Sequence, residues 1–314
     1  FIPQCVQQLS TTFPSAYSGI AEVFVNEDVT NLEVTAFAKC RKLVSISVDE
    51  RNGLYYSVDG VLYNRATGTL ICCPEGKTGS VAIPLGVMRI GNSAFEDCKG
   101  LLSVTIPSGA TNIGAFAFHG CSGLTLVTIP PGVMNIGESA FEGCGGLMTV
   151  TVPPGMTSIE DSVFSGCSGL TSVTIPPGVT NIGSFAFNGC SHLTTIEMPS
   201  SVRSIGDDAF RGCSGIRTAT ISACVARLSS SFPNSYRSVT TVAIQDGTPS
   251  VRDHLFSGCS GLTSVTIPSG VTSIGSSAFE GCRGLTSVTI PNTVTSIGAG
   301  TFYGCSSLHD CFHF

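Results

Sequence analysis

Apolar and polar positions repeat along this chain with a period of 23 residues. The clearest unit spans residues 259–281, and within it Val265 and Ile267 alternate with a serine and a threonine. Alternation of β-branched apolar residues with polar ones predicts a short strand with one buried face. Pro268 should end this strand, because proline lacks the N–H that a sheet ladder needs.

The second half of the same unit predicts a further inward segment and a large core residue. Val271 and Ile274 point inward between two glycine turns, and Phe279 fills the core where the chain crosses back. A coil of this length cannot bury its apolar edge alone, so it must stack on similar neighbours. The pattern therefore predicts a solenoid in which repeated residues form ladders.

A cysteine marks the register of these units along the chain. It recurs at Cys98, Cys121, Cys144, Cys167, Cys190, Cys213, Cys259, Cys282 and Cys305. Extended to both ends, the register predicts one repeat domain over residues 1–314 with about 12 to 13 coils. Two coils are degenerate, at residues 1–17 and 214–236, where Phe-Pro replaces Ala-Phe and tyrosine replaces the cysteine.

An insertion near residues 54–76 interrupts the period. Asp59-Gly60 between β-rich flanks predicts a two-residue hairpin turn. The register places Glu75 at the cysteine position of this coil. Cys72 and Cys73 follow the second turn, and strand alternation should bury one of them. A strained vicinal disulfide and an exposed reactive thiol are the alternatives.

Composition narrows the function classes. The 42% hydrophobic content excludes disorder, while 37 glycines and 16 prolines disfavour a helical bundle. No apolar run approaches the length of a membrane-spanning helix. A net charge of −6 provides no basic stripe for nucleic acid or an anionic membrane.

The pattern Cys-x-x-Leu-x-x-Val-x-Ile-Pro-x-x-Val-x-x-Ile-Gly-x-x-Ala-Phe resembles the BspA-like, or treponemal-type, leucine-rich repeat. This resemblance covers nearly the whole chain, and the hairpin insertion is common in that family. It implies a mostly-β leucine-rich-repeat solenoid, with a parallel sheet on the concave face and short strands or 3-10 turns on the convex face. It also implies a cell-surface or secreted protein that binds other macromolecules, several relatives being adhesins for host matrix proteins.

The 15 cysteines have three interpretations. We expect packed thiols at the repeat position, because buried cysteine behaves as a small apolar residue. Disulfides between neighbouring coils are the first alternative, and a metal array is the second. At the end of the chain, His309, Cys311 and His313 share one strand face, but a fraying last coil explains them better than a metal site. We predict no metal and no cofactor.

Catalytic signals are weak. His119, His192 and His254 occur singly beside the repeat cysteine or phenylalanine, so a Cys–His pair such as Cys121 with His119 is expected by chance. No phosphate-binding loop or paired-carboxylate motif is present. We therefore predict no catalytic residues.

Outward positions of the first strand form the candidate binding surface. They carry Ser and Thr in two ranks, and residues that break the ranks are where a binding preference could be encoded. The predicted binding residues are Ser103, Thr105, Leu126, Thr128, Thr149, Thr151, Ser172, Thr174, Thr195, Glu197, Arg217, Thr218, Thr220, Ser264, Thr266, Ser287 and Thr289.

These observations predict a non-enzymatic recognition scaffold that binds a protein or glycan, such as a host or matrix component. The alternatives are a structural or self-assembling surface spacer, and an enzyme with a site in the insertion. By resemblance the protein is extracellular or at the cell surface. The chain begins without Met or a signal peptide, from which we expect a processed chain or a fragment. The oligomeric state is left open.

Overall fold

The computed structural model describes residues 17–32 and 34–313. Within them the chain is mostly β, with two 3-10 segments at Tyr17–Gly19 and Val34–Phe37 and one short α-helix, α1, at Leu228–Ser231. The strands, in chain order, are β1 Glu22–Val25, β2 Ser45–Val48, β3 Tyr55–Val58, β4 Val61–Asn64, β5 Thr69–Cys72, β6 Gly79–Ala82, β7 Arg89–Ile90, β8 Leu101–Thr105, β9 Asn112–Ile113, β10 Leu126–Thr128, β11 Asn135–Ile136, β12 Thr149–Thr151, β13 Ser158–Ile159, β14 Ser172–Thr174, β15 Asn181–Ile182, β16 Thr195–Glu197, β17 Ser204–Ile205, β18 Thr218–Ile221, β19 Thr241–Ile244, β20 Ser250–Val251, β21 Ser264–Thr266, β22 Ser273–Ile274, β23 Ser287–Thr289, β24 Ser296–Ile297 and β25 Asp310–His313.

The coils belong to two compact units. Unit 1 consists of Phe1–Met148 with Ser162–Cys167, and unit 2 of Thr149–Asp161 with Ser168–Phe314. Both are built from the same type of coil, and the chain contains about 12 of them. The predicted mostly-β parallel solenoid is thus confirmed. A single domain over residues 1–314 stays a prediction.

Each regular coil contributes one strand to the first-strand set, defined as β1, β2, β6, β8, β10, β12, β14, β16, β18, β19, β21, β23 and β25. Within each unit several neighbouring members pair in parallel with partners 23 residues away, as Val104 does with Val127 in unit 1 and Val150 with Val173 in unit 2. These valines are buried while the residues flanking them face outward. Alternation with a period of two therefore decides which side chains face the core.

A second-strand set of two-residue strands stacks elsewhere on the coil: β7, β9, β11, β13, β15, β17, β20, β22 and β24. Ile113 and Ile136 pair in this way and are buried. The glycine that follows is needed for close approach of the coils. A Cβ at Gly137 would lie 2.5 Å from the backbone nitrogen of Ala115.

Phenylalanine rings stack through the core between coils. In unit 1 the centroids of Phe95, Phe118, Phe141 and Phe164 lie 4.7, 5.0 and 5.7 Å apart in succession. Unit 2 repeats this packing at Phe187 with Phe210, Phe256 with Phe279, and Phe279 with Phe302. Each stacked pair contributes about 0.5–1.5 kcal/mol beyond its buried area.

The degenerate coil at residues 214–236 keeps this core position with a different backbone. Helix α1 brings Phe232 to 5.1 Å from Phe210, and Leu228 is buried beside it. The other predicted degenerate coil, at residues 1–17, lies outside the described residues except for its last position.

The repeat cysteines are buried apart from the half-buried Cys305, and most of them donate a hydrogen bond to a phenylalanine carbonyl of the preceding coil. Cys121 Sγ donates to the carbonyl oxygen of Phe95 at 2.9 Å, and Cys144 Sγ to that of Phe118 at 3.1 Å. The Phe95 oxygen also accepts the N–H of Cys98 in its own coil. A carbonyl with two lone pairs can accept both bonds. Cys167, Cys213, Cys282 and Cys305 repeat the contact. The position therefore selects a small apolar residue that can also donate weakly.

The predicted hairpin insertion is confirmed. Strands β3 and β4 pair antiparallel, and Asp59 and Gly60 between them have φ values of 49° and 75°, as a type I′ turn requires. Strand β5 then pairs antiparallel with β4 and parallel with β7, so it joins the insertion to the second-strand set.

The insertion shifts the stacking register by three residues at β5, where Leu70 pairs with Ile90, and by one residue from Cys73 onward. The N–H of Cys73 donates to Ala94, as the N–H of Phe95 donates to Ala117 in the next coil. Cys73 therefore occupies the phenylalanine position of its coil. A thiol replaces a ring of the stack here.

The shift ends at the start of the next strand. Gly79 pairs with Leu101, whereas Ser80 pairs with Ser103. Between Cys73 and Gly79 the coils are thus offset by 22 residues instead of 23. The prediction that Glu75 stands at the cysteine position is wrong by one residue.

Candidate binding surface

The predicted binding residues all lie on the outward side or the rim of the first-strand set. The exposed ones are Thr105, Leu126, Thr128, Thr149, Thr151, Ser172, Thr174, Glu197, Arg217, Ser264, Thr266, Ser287 and Thr289, and the half-buried ones are Ser103, Thr195, Thr218 and Thr220. We name this surface the hydroxyl face. Within each unit, parallel pairing aligns these side chains in two ranks about 4.8 Å apart from one paired strand to the next. Its role in binding stays a prediction.

Hydroxyls at the rim and on the face have different surroundings. At the rim, just before the strands, Thr125 Oγ1 donates to the carbonyl of Leu102 and Thr263 Oγ1 to that of Thr240, both at 3.0 Å. On the face, Thr105 and Thr128 are exposed. The rim hydroxyls thus stabilise the stack, while the face presents its hydroxyls to solvent.

Three consecutive coils of unit 1 place apolar side chains on this outward side. Leu102, Leu126 and Met148 have exposed fractions of 55%, 54% and 56%. We name these three residues the apolar patch. The rank breaks had drawn attention to Leu126 and Met148 in the sequence. The sequence prediction did not include Leu102, because this residue precedes the two ranks of Ser and Thr. Its signal in the sequence is a leucine at a position where other coils have threonine.

Unit 2 contributes the charged residues of the surface. Glu197 is exposed at the end of β16, next to the inward and buried Met198. Arg217 lies on the rim, where its Nη1 donates to the carbonyls of Ser214 and Ile216 and to Ser238 Oγ. These bonds fix the guanidinium beside the hydroxyl face.

The histidines do not form a nucleophilic site with the repeat cysteines. Cys121 donates to the Phe95 carbonyl, and burial raises the pKa of its thiol, which disfavours the nucleophilic thiolate. His119 Nδ1 lies 3.8 Å from Glu96. The other two are similar surface groups: His192 contacts the Ser168 carbonyl, and His254 lies near Glu280.

The insertion contains a cavity of about 470 Å³, lined by Phe37, Cys72, Cys73 and Glu75 among others. It lies at the coil in which Cys73 replaces the phenylalanine ring. Burial raises the pKa of Glu75, opposed by the hydrogen bond that its carboxylate accepts from the Lys39 N–H at 2.7 Å.

Both adjacent cysteines of the insertion are buried, with exposed fractions of 8% for Cys72 and 2% for Cys73. The expectation that only one would point inward is therefore wrong. The bulge between Leu62 and Tyr63 in the β4–β5 pairing, together with the turn that follows β5, breaks simple alternation.

No group of three or more His, Cys, Asp or Glu suited to a metal ion occurs in the described part of the chain. Of the terminal candidates, only the His309 side chain is described; those of Cys311 and His313 lie outside it. The described residues also contain no helix that is long and apolar enough to cross a membrane.

Solved structures with similar folds are bacterial leucine-rich-repeat proteins. One from Bacteroides ovatus is 23% identical with a TM-score of 0.60, covering 94% of this chain and 79% of its own. One from Eubacterium ventriosum is 23% identical with a TM-score of 0.46, covering 92% of this chain. A leucine-rich cell surface protein from Faecalibacterium prausnitzii is 26% identical with a TM-score of 0.44, covering 82% of this chain and 94% of its own.

The chain spans 59% of the length of the Eubacterium ventriosum protein. No curated protein matches the sequence significantly. The family model for the BspA type leucine-rich repeat region matches residues 2–63, 88–217 and 228–313, in six copies. These segments cover most of the chain, and the period, strand pairing and core ladders agree with them. The chain therefore belongs to the BspA-type leucine-rich-repeat family.

Proposed function

We propose that this repeat scaffold is a non-enzymatic recognition protein of adhesin type, secreted or held at the cell surface. Its ligand is a host or matrix protein, bound on the hydroxyl face. The observation that carries the proposal is the apolar patch of Leu102, Leu126 and Met148, exposed on the outward side of a strand set lined mostly by Ser and Thr. Family membership supports both the scaffold role and the location.

The physical argument concerns how protein interfaces are built. Their centres are apolar and depleted of charge, and polar groups surround them. The apolar patch, with neighbouring Thr105 and Thr128, has this composition. Glu197 and Arg217 add charge on the same strand set in unit 2, where rim charges influence partner choice and association rate.

Surface plasmon resonance against a panel of matrix proteins and glycans tests the proposal. We expect saturable binding to at least one matrix protein, competed by soluble protein of this chain. Binding only to glycans would replace the protein partner with a carbohydrate. Uniform absence of binding across the panel would overturn the recognition function and favour the structural spacer.

The enzymatic alternative has one observation in its favour, the insertion cavity with the raised pKa of Glu75. A raised carboxyl pKa suits a general acid. However, burial also raises the pKa of the Cys72 thiol that shares the cavity, which disfavours it as a nucleophile. The cavity therefore offers a candidate general acid at Glu75 without an activated nucleophile at Cys72, and the recognition scaffold is the better-supported function.

A further inference from the structure

Two thiols converge where the insertion joins the first regular coil. Cys98 Sγ lies 3.5 Å from the carbonyl oxygen of Pro74, and Cys73 Sγ lies 3.9 Å from the same oxygen. Cys98 Sγ also lies 3.6 Å from the carbonyl oxygen of Cys73. Both side chains are buried, so their positions are fixed by packing.

In the regular coils a sulfur donates to the phenylalanine carbonyl of the preceding coil, as Cys144 does to Phe118 and Cys167 to Phe141. That acceptor keeps each sulfur in a fixed direction. Cys98 keeps the equivalent contact, to the Cys73 carbonyl, and adds a second one to the Pro74 carbonyl. At the insertion the one-residue offset puts Cys73 at the phenylalanine position, so a second thiol stands where the ring would be.

A route from solvent reaches one member of this pair. Cys73 lines the cavity of about 470 Å³, together with Cys72 and Glu75. Cys98 does not line the cavity but is in contact with Cys73. A small reagent in the cavity would therefore react with Cys73 first, and Cys98 would then react with the modified Cys73.

We propose that Cys73 and Cys98 form a thiol-oxidation site, in which an intramolecular disulfide closes by exchange with a small dialkyl disulfide of the cystine or oxidised-glutathione class. The Cys73 and Cys98 sulfurs lie 3.9 and 3.5 Å from the same carbonyl oxygen of Pro74, so the two side chains reach the same point in the structure. The bond links the insertion covalently to the first regular coil. It does not depend on the proposed recognition function.

The exchange balances in two steps. The Cys73 thiolate attacks one sulfur of the small disulfide, whose S–S bond breaks and releases one small thiolate, which takes up the Cys73 proton. The Cys98 sulfur then attacks Cys73 in the mixed disulfide, forming the protein S–S bond and releasing the second small thiol with the Cys98 proton. Because the neighbouring Cys73 side chain and burial raise the pKa of the Cys98 thiol, this second step is the slower one. Two protein thiols are oxidised, and one small disulfide is reduced to two thiols.

Peptide mapping without reduction tests this site in the folded wild-type chain. The protein is incubated with oxidised glutathione, its remaining thiols are alkylated, and trypsin then cleaves after Arg65, Lys77, Arg89 and Lys99. We expect one dominant cross-link between peptides 66–77 and 90–99, at least tenfold more abundant than any other. Fragmentation between the two adjacent cysteines should place the link on Cys73.

Two variants separate the steps. Cys98→Ser should stop the reaction at a glutathione adduct on Cys73. Cys72→Ser, the matched control, should leave the cross-link unchanged. Unfolding the wild-type chain in denaturant before oxidation should abolish the selectivity, because the fold brings the pair together.

Other products would overturn the proposal. These are a vicinal Cys72–Cys73 bond, a link from Cys72 to Cys98, links spread evenly over the regular repeat cysteines, or no cross-link in the folded chain. The wild-type map decides among them even if a serine variant fails to fold.

Discussion

At the scale of single residues, Glu75 shows how an interrupted repeat changes the environment of a side chain. Its carboxylate accepts the Lys39 N–H at 2.7 Å, yet it is half-buried beside the cavity. Desolvation outweighs the hydrogen bond and raises the pKa of Glu75. The folded state therefore binds this proton more tightly than the unfolded chain does. Ionised Glu75 destabilises the fold, and the effect vanishes below the unfolded pKa.

Replacing Glu75 with Gln should raise the free energy of unfolding at neutral pH, because Gln keeps the acceptor and removes the charge. The gain over wild type should shrink as the pH falls through the raised pKa of folded Glu75, and it should be absent below about 4.3, where the glutamate of the unfolded chain is also protonated. Urea titrations at neutral and acidic pH measure it. A gain that grew on acidification would contradict the assignment.

Sequence periodicity predicts individual residues only where the period holds. Val104 and Met198 are buried as their positions require, and Leu126 is exposed. Cys73 could not be assigned to the phenylalanine position from spacing. Counting residues gives the length of an insertion but does not show where the extra offset is absorbed. Strand pairing and hydrogen bonds show an offset of three residues at Leu70, one residue from Cys73 to Gly79, and none from Ser80.

At the scale of elements, the hairpin turn of the insertion depends on one glycine. Gly60 has a φ of 75°, and a Cβ there would lie 2.8 Å from Ser45 Oγ. A Cβ at Gly53, just before the hairpin, would have no other atom within 4 Å. The sequence predicts this turn well because the Asp-Gly signal is local.

Gly60→Ala should destabilise the protein by about 1–2 kcal/mol, since alanine is strained at positive φ and meets Ser45. Gly53→Ala is the matched control and should change stability by less than about 0.5 kcal/mol. Urea unfolding compares the two. Equal effects would show that the turn does not constrain the fold.

The phenylalanine stack is the main core element between coils. Phe118 lies between Phe95 and Phe141, at 4.7 and 5.0 Å, and is fully buried. Its removal leaves a cavity that the neighbouring backbone ladders cannot close.

Phe118→Ala should therefore lower the free energy of unfolding by about 3–5 kcal/mol. The matched control is Phe185→Ala, at an exposed phenylalanine with 41% of its surface accessible, where a loss below about 1 kcal/mol is expected. Thermal and urea unfolding measure both. Comparable losses would mean that the stack does not dominate the core.

At the scale of the whole molecule, repetition predicts the fold but not the partner. Repeating units fix the strand sets, core ladders and outward ranks, because every coil solves the same packing problem. Side chains that depart from the repeat, such as Leu126, Glu197 and Arg217, can select a ligand. Their spacing along the chain does not show which ligand they bind. The candidate surface could therefore be predicted from the sequence. The apolar patch was recognised only from the exposure of Leu102 in the structure.

The central claim, recognition through the outward side of the first-strand set, is tested most directly by one matched comparison of affinity. Leu126→Thr alters the apolar patch, whereas Met134→Thr makes a similar change at an exposed residue just before β11 of the second-strand set. Surface plasmon resonance against the matrix protein bound by wild type should show at least about tenfold weaker binding for Leu126→Thr, a loss of about 1.4 kcal/mol. Met134→Thr should stay within about twofold of wild type. Equal affinities for both variants, or a loss confined to Met134→Thr, would contradict the claim.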